Sequence, residues 1–238
     1  MSVYNTYEIK NNNERSKKIM KFRHEWKHEI DFLDVIVLRN RLKAIMSNDI
    51  HAKNGKYLVR SLYFDNLQDK ALLEKINGVN KREKFRLRYY NDNINHVSLE
   101  KKSKINGLCC KEQVKLSDEQ VKAILNGDEI NSKSELLNEF MFKTKSQGLK
   151  PKTIVDYVRE PFVYPAGNVR VTLDYEIRTG LNSTDFLDPD RVTIPANTGA
   201  VLEVKWDEFL PAMIRDIVQL HGKRTTAFSK YAACRIYG

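Results

Sequence analysis

Only three of the 238 residues are cysteine, and two of those, Cys109 and Cys110, are adjacent. Three thiols so placed cannot build a disulfide framework, which fits a reducing, cytoplasmic compartment. No second His/Cys cluster offers the spacing of a zinc site. No apolar run approaches the ~20 residues needed to cross a bilayer. Met1–Met20 is polar and Asn-rich and lacks the apolar stretch of a secretory signal. A GxxxxGKS/T loop is missing, so phosphate binding of the P-loop kind is not expected. A GxSxG nucleophile elbow is missing as well, and so is any repeat at solenoid spacing.

Positive charge, by contrast, is in surplus. Lys and Arg number 41 against 31 Asp and Glu, a formal net charge of +10, which points to a polyanionic partner: nucleic acid, nucleotide, polyphosphate or anionic lipid. The chain divides into a polar tail, residues 1–20, and one domain, residues 21–238, with no low-complexity linker inside it.

Alternation organises that domain. Phe22 to Ile30 places Phe22, His24, Trp26, His28 and Ile30 on one side and Arg23, Glu25, Lys27 and Glu29 on the other, which predicts a strand. His24 and His28 therefore point away from Glu25 and Lys27. Lys84, Arg86, Arg88 and Tyr90 share a face of the next clear strand, and Ser98, Glu100, Lys102 and Lys104 share another. Further strands are predicted at 57–64, 111–116, 152–159, 169–178 and 200–206. Helices are predicted at 31–46, 66–76, 117–126 (Ser117 with Gln120 as a capping box), 132–145 (Ser132 with Glu135), 207–220 and 226–236. Segment 182–197 reads as a loop.

Basic residues thus recur in pairs on strand faces, with carboxylates set singly among them: Glu25, Glu100, Asp174 and Glu203. Two arrangements remain open on pattern alone. The charged face meets water, as in an ordinary antiparallel sheet, or the sheet curls so that the face becomes a lumen. Enclosed like charges need counter-charge. A chain of phosphates supplies it, because Arg forks bind phosphate oxygens bidentately and Lys acts as a point charge.

An ordered set of segments resembles the VTC domain, the polyphosphate polymerase module of the triphosphate tunnel metalloenzyme (CYTH-like) superfamily. They are Phe22–Ile30 (FRHEWKHEI), Arg60–Asn66 (RSLYFDN), Phe85–Tyr90 (FRLRYY), Ser98–Lys104 (SLEKKSK), Asp156–Phe162 (DYVREPF), Val169–Asp174 (VRVTLD), Leu202–Lys205 (LEVK) and Phe228–Tyr231 (FSKY). The resemblance implies an α+β fold: a closed antiparallel eight-stranded β-barrel, the triphosphate tunnel, with helices packed outside. It implies transfer of the γ-phosphate of ATP to a growing polyphosphate chain. Carried onto matching positions, Lys27, Arg60, Arg86, Arg88, Lys102, Arg159, Arg170 and Tyr157 are the expected phosphate-binding wall. Lys230 and Glu203 are the expected catalytic pair, Glu203 and Glu100 the expected ligands of Mn²⁺ or Mg²⁺. Glu25, Asp174, Lys205 and Ser229 complete the candidate set.

The implied partners are ATP and inorganic polyphosphate or pyrophosphate, with a separate membrane partner at the inner face of a membrane; nucleic acid is not expected. One departure matters. Hydrolytic relatives begin with a Glu-x-Glu-x-Lys strand, whereas this chain has Arg23-His24-Glu25-Trp26-Lys27, which weakens a two-metal hydrolase and favours the polymerase branch. The competing readings are a metal-dependent inorganic or nucleoside triphosphatase of the same fold and a non-catalytic module that binds RNA or polyphosphate.

Overall fold

Among the described residues, ten strands form a single antiparallel sheet: β1 (His24–Ile30), β2 (Ser47–Asn48), β3 (Tyr57–Asp65), β4 (Arg82–Tyr90), β5 (Ser98–Ile105), β6 (Leu108–Lys115), β7 (Lys150–Tyr164), β8 (Val169–Thr179), β9 (Ile194–Pro195) and β10 (Ala200–Trp206). The computed structural model describes residues 22–220, 222–223 and 225–235; the expected tail, 1–20, lies outside them. The eight long strands run in the order β1-β10-β8-β7-β3-β4-β5-β6, with β2 paired to β7 and β9 to β8.

The sheet curls until its two edges meet. Arg23 and Cys109 exchange both backbone hydrogen bonds, at 3.0 and 3.1 Å, and so join the start of β1 to β6. Farther along β1, residues 226–229 cover the seam. The Thr226 amide donates to Lys27 O at 2.7 Å, and the ammoniums of Lys27 and Lys75 donate to the carbonyls of Phe228 and Ala227. The expected closed barrel is therefore closed by strand pairing at one point among the described residues and by a passing segment beyond it.

Period-two sequences give this sheet two kinds of face. On the outside, Leu62, Phe64, Phe85, Leu87 and Leu99 pack under α3 (Asp118–Asn126) and α4 (Glu135–Gln147), through Val121, Ile124, Leu137 and Phe140. Ile30, Val171, Leu173, Leu202 and Val204 pack likewise under α1 (Phe32–Ile45) and α5 (Ala212–Ile217), through Val35, Leu38, Leu42 and Ile214. Two apolar cores thus lie outside the curled sheet, which leaves its interior for the polar residues. One end of that interior is apolar: Tyr57, Val59, Tyr63, Tyr157 and Ile177 cluster with Tyr231 and Cys234 of α6 (Lys230–Arg235). The remaining helix, α2 (Lys70–Ile76), starts where the buried carboxylate of Asp65 accepts from the Ala71 and Leu72 amides and from the Tyr231 hydroxyl.

Local chemistry sets the ends of these elements. Ser117 and Gln120 form the expected capping box, and Gly127 ends α3 at φ 82°. The cap of α4 is Ser134, not Ser132; the Ser132 hydroxyl accepts instead from the Ser134 amide. The helix expected over 207–220 shortens to α5, because Pro211 lacks an amide to continue it and the Asp207 amide bonds Gly167 O. The last helix begins only at Lys230, since the residues before it run along β1.

Candidate functional site

β4 and β5 build one wall of the interior. Their register sets Lys84 opposite Lys102, Arg86 opposite Glu100 and Arg88 opposite Ser98. Glu100 is buried and serves three cations: Arg86 at 2.6 Å, Lys111 at 3.2 Å and Arg88 at 3.7 Å. Burial would push its carboxyl up, but the charges of Arg86, Arg88 and Lys111 outweigh burial and hold it below the usual range. Arg88 is completed by neutral groups, the Ser61 hydroxyl at 2.9 Å and the Tyr157 hydroxyl at 3.1 Å. Lys84 bonds the Ser229 hydroxyl at 3.5 Å and sits 5.3 Å from the centre of the Tyr63 ring.

The opposite wall, from β1, β10 and β8, alternates in sign. Glu25 lies across from Lys205, and Lys27 across from Glu203. Lys27 reaches Glu25 at 3.1 Å and Glu203 at 3.5 Å; Lys205 pairs with both; and Lys102, from the other wall, reaches Glu25 at 2.7 Å. Next along β8, Asp174 takes a bidentate grip from Arg159, at 2.6 and 2.7 Å, and accepts Lys230 at 2.6 Å. Burial favours the neutral forms of Glu203 and Asp174, yet the surrounding ammonium and guanidinium groups hold both below their ordinary values. Lys230, first residue of α6, stands 4.7 Å above the Tyr157 ring. Arg170 marks the far mouth, bonded to the Tyr57 hydroxyl at 2.7 Å and to Asp49 at 2.9 Å.

Most sequence-derived candidates therefore share one interior: Lys27, Arg86, Arg88, Lys102, Tyr157, Arg159, Arg170, Glu203, Lys205, Lys230, Glu100, Glu25, Asp174 and Ser229. Arg60 does not. It grips Asp156 bidentately, at 2.9 and 3.0 Å, and donates to the carbonyls of Asp188 and Arg191, so it fastens the 182–197 loop to the outside of the sheet. Strand parity is the reason: Tyr57, Val59, Ser61 and Tyr63 take the inner face, leaving Arg60 with Leu62 and Phe64. Several interior residues were not singled out from sequence, among them Lys84, Tyr63 and Thr172. Lys84 stands in the same alternating set as Arg86 and Arg88. Tyr63 and Thr172 carried no signal beyond parity. His24 lies outside, stacked on Trp206 at 5.3 Å.

Among the described residues no three His, Cys, Asp or Glu side chains converge as a metal-holding group. Glu100 is paired with three cations, Arg86, Arg88 and Lys111, and Glu203 with two, Lys27 and Lys205. Beside Glu203, at its register partner on β8, is Thr172, buried with its hydroxyl lacking any hydrogen-bond partner. A single carboxylate with one free hydroxyl fits a divalent ion that takes its other oxygens from phosphate and water, not one caged by protein alone.

The fold has counterparts among solved structures. A candidate adenylate cyclase from Bacillus halodurans superposes with a TM-score of 0.51 at 14% identity, over 78% of this chain and 81% of that one. A candidate adenylyl cyclase from Hippeastrum, described as having a dominant triphosphatase activity, superposes with a TM-score of 0.50 at 14% identity, over 88% and 93%. At this identity the likeness is one of fold. No curated protein sequence matches the chain. A family model, that of the VTC domain, matches residues 22–236, and the chain belongs to that family.

Proposed function

We propose that this protein is a polyphosphate polymerase, which transfers the γ-phosphate of ATP to the end of an inorganic polyphosphate chain held in the tunnel. The observation that carries this reading is the interior imbalance: Lys84, Arg86, Arg88 and Lys102 line the β4–β5 wall, whose one carboxylate, Glu100, pairs with Arg86, Arg88 and Lys111, while of these four Glu25 of the opposite wall answers Lys102 alone. A wall so charged is stabilised by an elongated anion with several phosphates. Family membership supports the same substrate class.

Phosphoryl transfer needs positioning and charge stabilisation more than covalent help from the protein. Arg86, Arg88 and Arg159 would hold the triphosphate in line with the terminal phosphate of the acceptor. That acceptor is already an anion and needs no general base, so the main obstacle is repulsion between two anions, which a cationic lumen relieves. Lys230, above Tyr157, would screen the phosphoryl group as it moves. Its partner Asp174 remains paired with Arg159 when Lys230 turns to substrate. A divalent ion held by Glu203 and the Thr172 hydroxyl would offset charge on the departing ADP. Arg23 supports the polymerase branch over the hydrolytic one. Its side chain turns to Asp207 at 2.7 Å and so contributes no carboxylate beside Glu25.

The test is to incubate purified protein with ATP and Mn²⁺ and resolve the products on a gel stained for polyphosphate. A ladder is expected. Orthophosphate without chains would replace this reading with that of a triphosphatase, and absence of turnover with that of a binding module.

A further inference from the structure

One side of the tunnel opens into a cavity of about 100 Å³ bounded by Lys27, Lys84, Lys102 and Ser229. Lys84 differs from the two lysines that face it, Lys27 and Lys102. Lys27 and Lys102 are answered by Glu25. Lys84 forms no ion pair among the described residues, and its one hydrogen bond goes to the neutral Ser229 hydroxyl. The groups facing it are Tyr63 from β3, Arg86 on its own strand, Lys102 from β5 and Lys27 from β1. Glu25 lines the same cavity but is already held by Lys27 and Lys102.

From this arrangement we infer that Lys84 is a phosphate-binding residue of the tunnel mouth whose proton arrives together with the polyanion. Removed from water among three cations, its amine gains little from carrying a charge of its own. A phosphate entering the cavity reverses that balance by supplying the missing counter-charge. The titration tendency agrees. Burial, reinforced by Lys102, Lys27 and Arg86 and opposed by Tyr63, pushes the amine down to about 7. Tyr63, despite burial, is drawn down to about 7 by Arg86, Lys84 and Arg88. The proton uptake must therefore be separated from the phenol. By linkage, a group that binds its proton only with ligand makes affinity fall as pH rises above the free-state value, by up to about tenfold per pH unit.

The inference rests on the tunnel being the phosphate site, and it is tested with inorganic tripolyphosphate, without any need for turnover. Calorimetric titrations at pH 8 in two buffers of different ionisation enthalpy count the protons taken up on binding. Lys84→Arg keeps a permanent charge. It should bind tripolyphosphate but take up about one proton fewer than wild type, and the same deficit should persist in a Tyr63→Phe background. Lys84→Met should bind more weakly than either. Equal proton uptake by wild type and Lys84→Arg overturns the inference while leaving the polymerase reading intact. Failure of wild type to bind tripolyphosphate overturns both. Binding without polymer formation from ATP removes the polymerase reading alone.

Discussion

The two walls of the tunnel are built from the same residue types and solve opposite problems. Along β1, β10 and β8, cations and carboxylates alternate in register, so Lys27, Lys205 and Arg159 find Glu25, Glu203 and Asp174 without any ligand. Along β4 and β5, Arg86 and Arg88 share Glu100 with Lys111, Lys102 reaches across to Glu25, Lys84 forms no ion pair among the described residues, and the shortfall is made up by hydroxyl groups and aromatic faces: Ser61, Ser229, Tyr63 and Tyr157. A polyanion entering the first wall competes with carboxylates already in place. Entering the second, it meets cations that lack full partners. On the proposed function, the first wall holds its shape and the second holds the ligand.

The largest effect expected falls on the residues placed at the transfer step. Lys230→Ala and Glu203→Ala should each lower polymer formation from ATP by about 100-fold or more, far more than they lower folding stability. Asp174 keeps Arg159, and Lys27 and Lys205 keep Glu25, in these variants. Near-normal polymer yield from either variant would break the assignment of roles.

Arg60→Ala should act in the opposite sense, on folding alone. It removes a bidentate partner from Asp156 and should cost about 2–3 kcal/mol of stability, while tripolyphosphate affinity measured by calorimetry stays at the wild-type value. Loss of affinity by a stably folded Arg60→Ala protein would return this residue to the phosphate wall. Arg88→Met sharpens the contrast between the walls. Affinity should weaken about tenfold, as expected for loss of one charge-assisted contact, with a smaller change in melting temperature than on the other wall, because Glu100, 3.7 Å from Arg88, keeps Arg86 at 2.6 Å. The corresponding change on the other wall, Lys27→Met, should lower the melting temperature.

The smallest effect is a pH slope. The Lys84 amine titrates near 7 in the folded chain and at its ordinary 10.5 when unfolded. Between those values the unfolded chain holds a proton that the folded chain lacks, so stability rises with pH across this window. Denaturant midpoints from pH 7 to 10 should rise more steeply for wild type than for Lys84→Met. Parallel slopes would mean that Lys84 is charged in the empty tunnel.

Much of this was legible as parity. The alternation of Phe22–Ile30 and Lys84–Tyr90 sorts side chains onto two faces without saying which is enclosed, and His24 lies on the face opposite Glu25 and Lys27, as that parity requires. Arg60 lies in a run, 57–64, with apolar residues on both faces, so its face is not legible and the resemblance alone names it. What sequence could not supply is the pairing across strands distant in the chain. Lys230 meets Asp174 only because α6 is brought back beside β7 and β8, and the seam is covered only because 226–229 return to β1. The unanswered state of Lys84 is likewise a property of the assembled wall and of nothing local.

The claim on which the rest depends is that phosphates replace what the β4–β5 wall lacks. A crystal structure of the protein grown with tripolyphosphate tests it directly. Phosphate oxygens are predicted within hydrogen-bonding distance of Arg86, Arg88 and Lys84 on that wall and of Arg159 opposite. An anion bound only to the outer face of the sheet, with the guanidinium groups of Arg86 and Arg88 still turned to Glu100, Ser61 and Tyr157 alone, would contradict it.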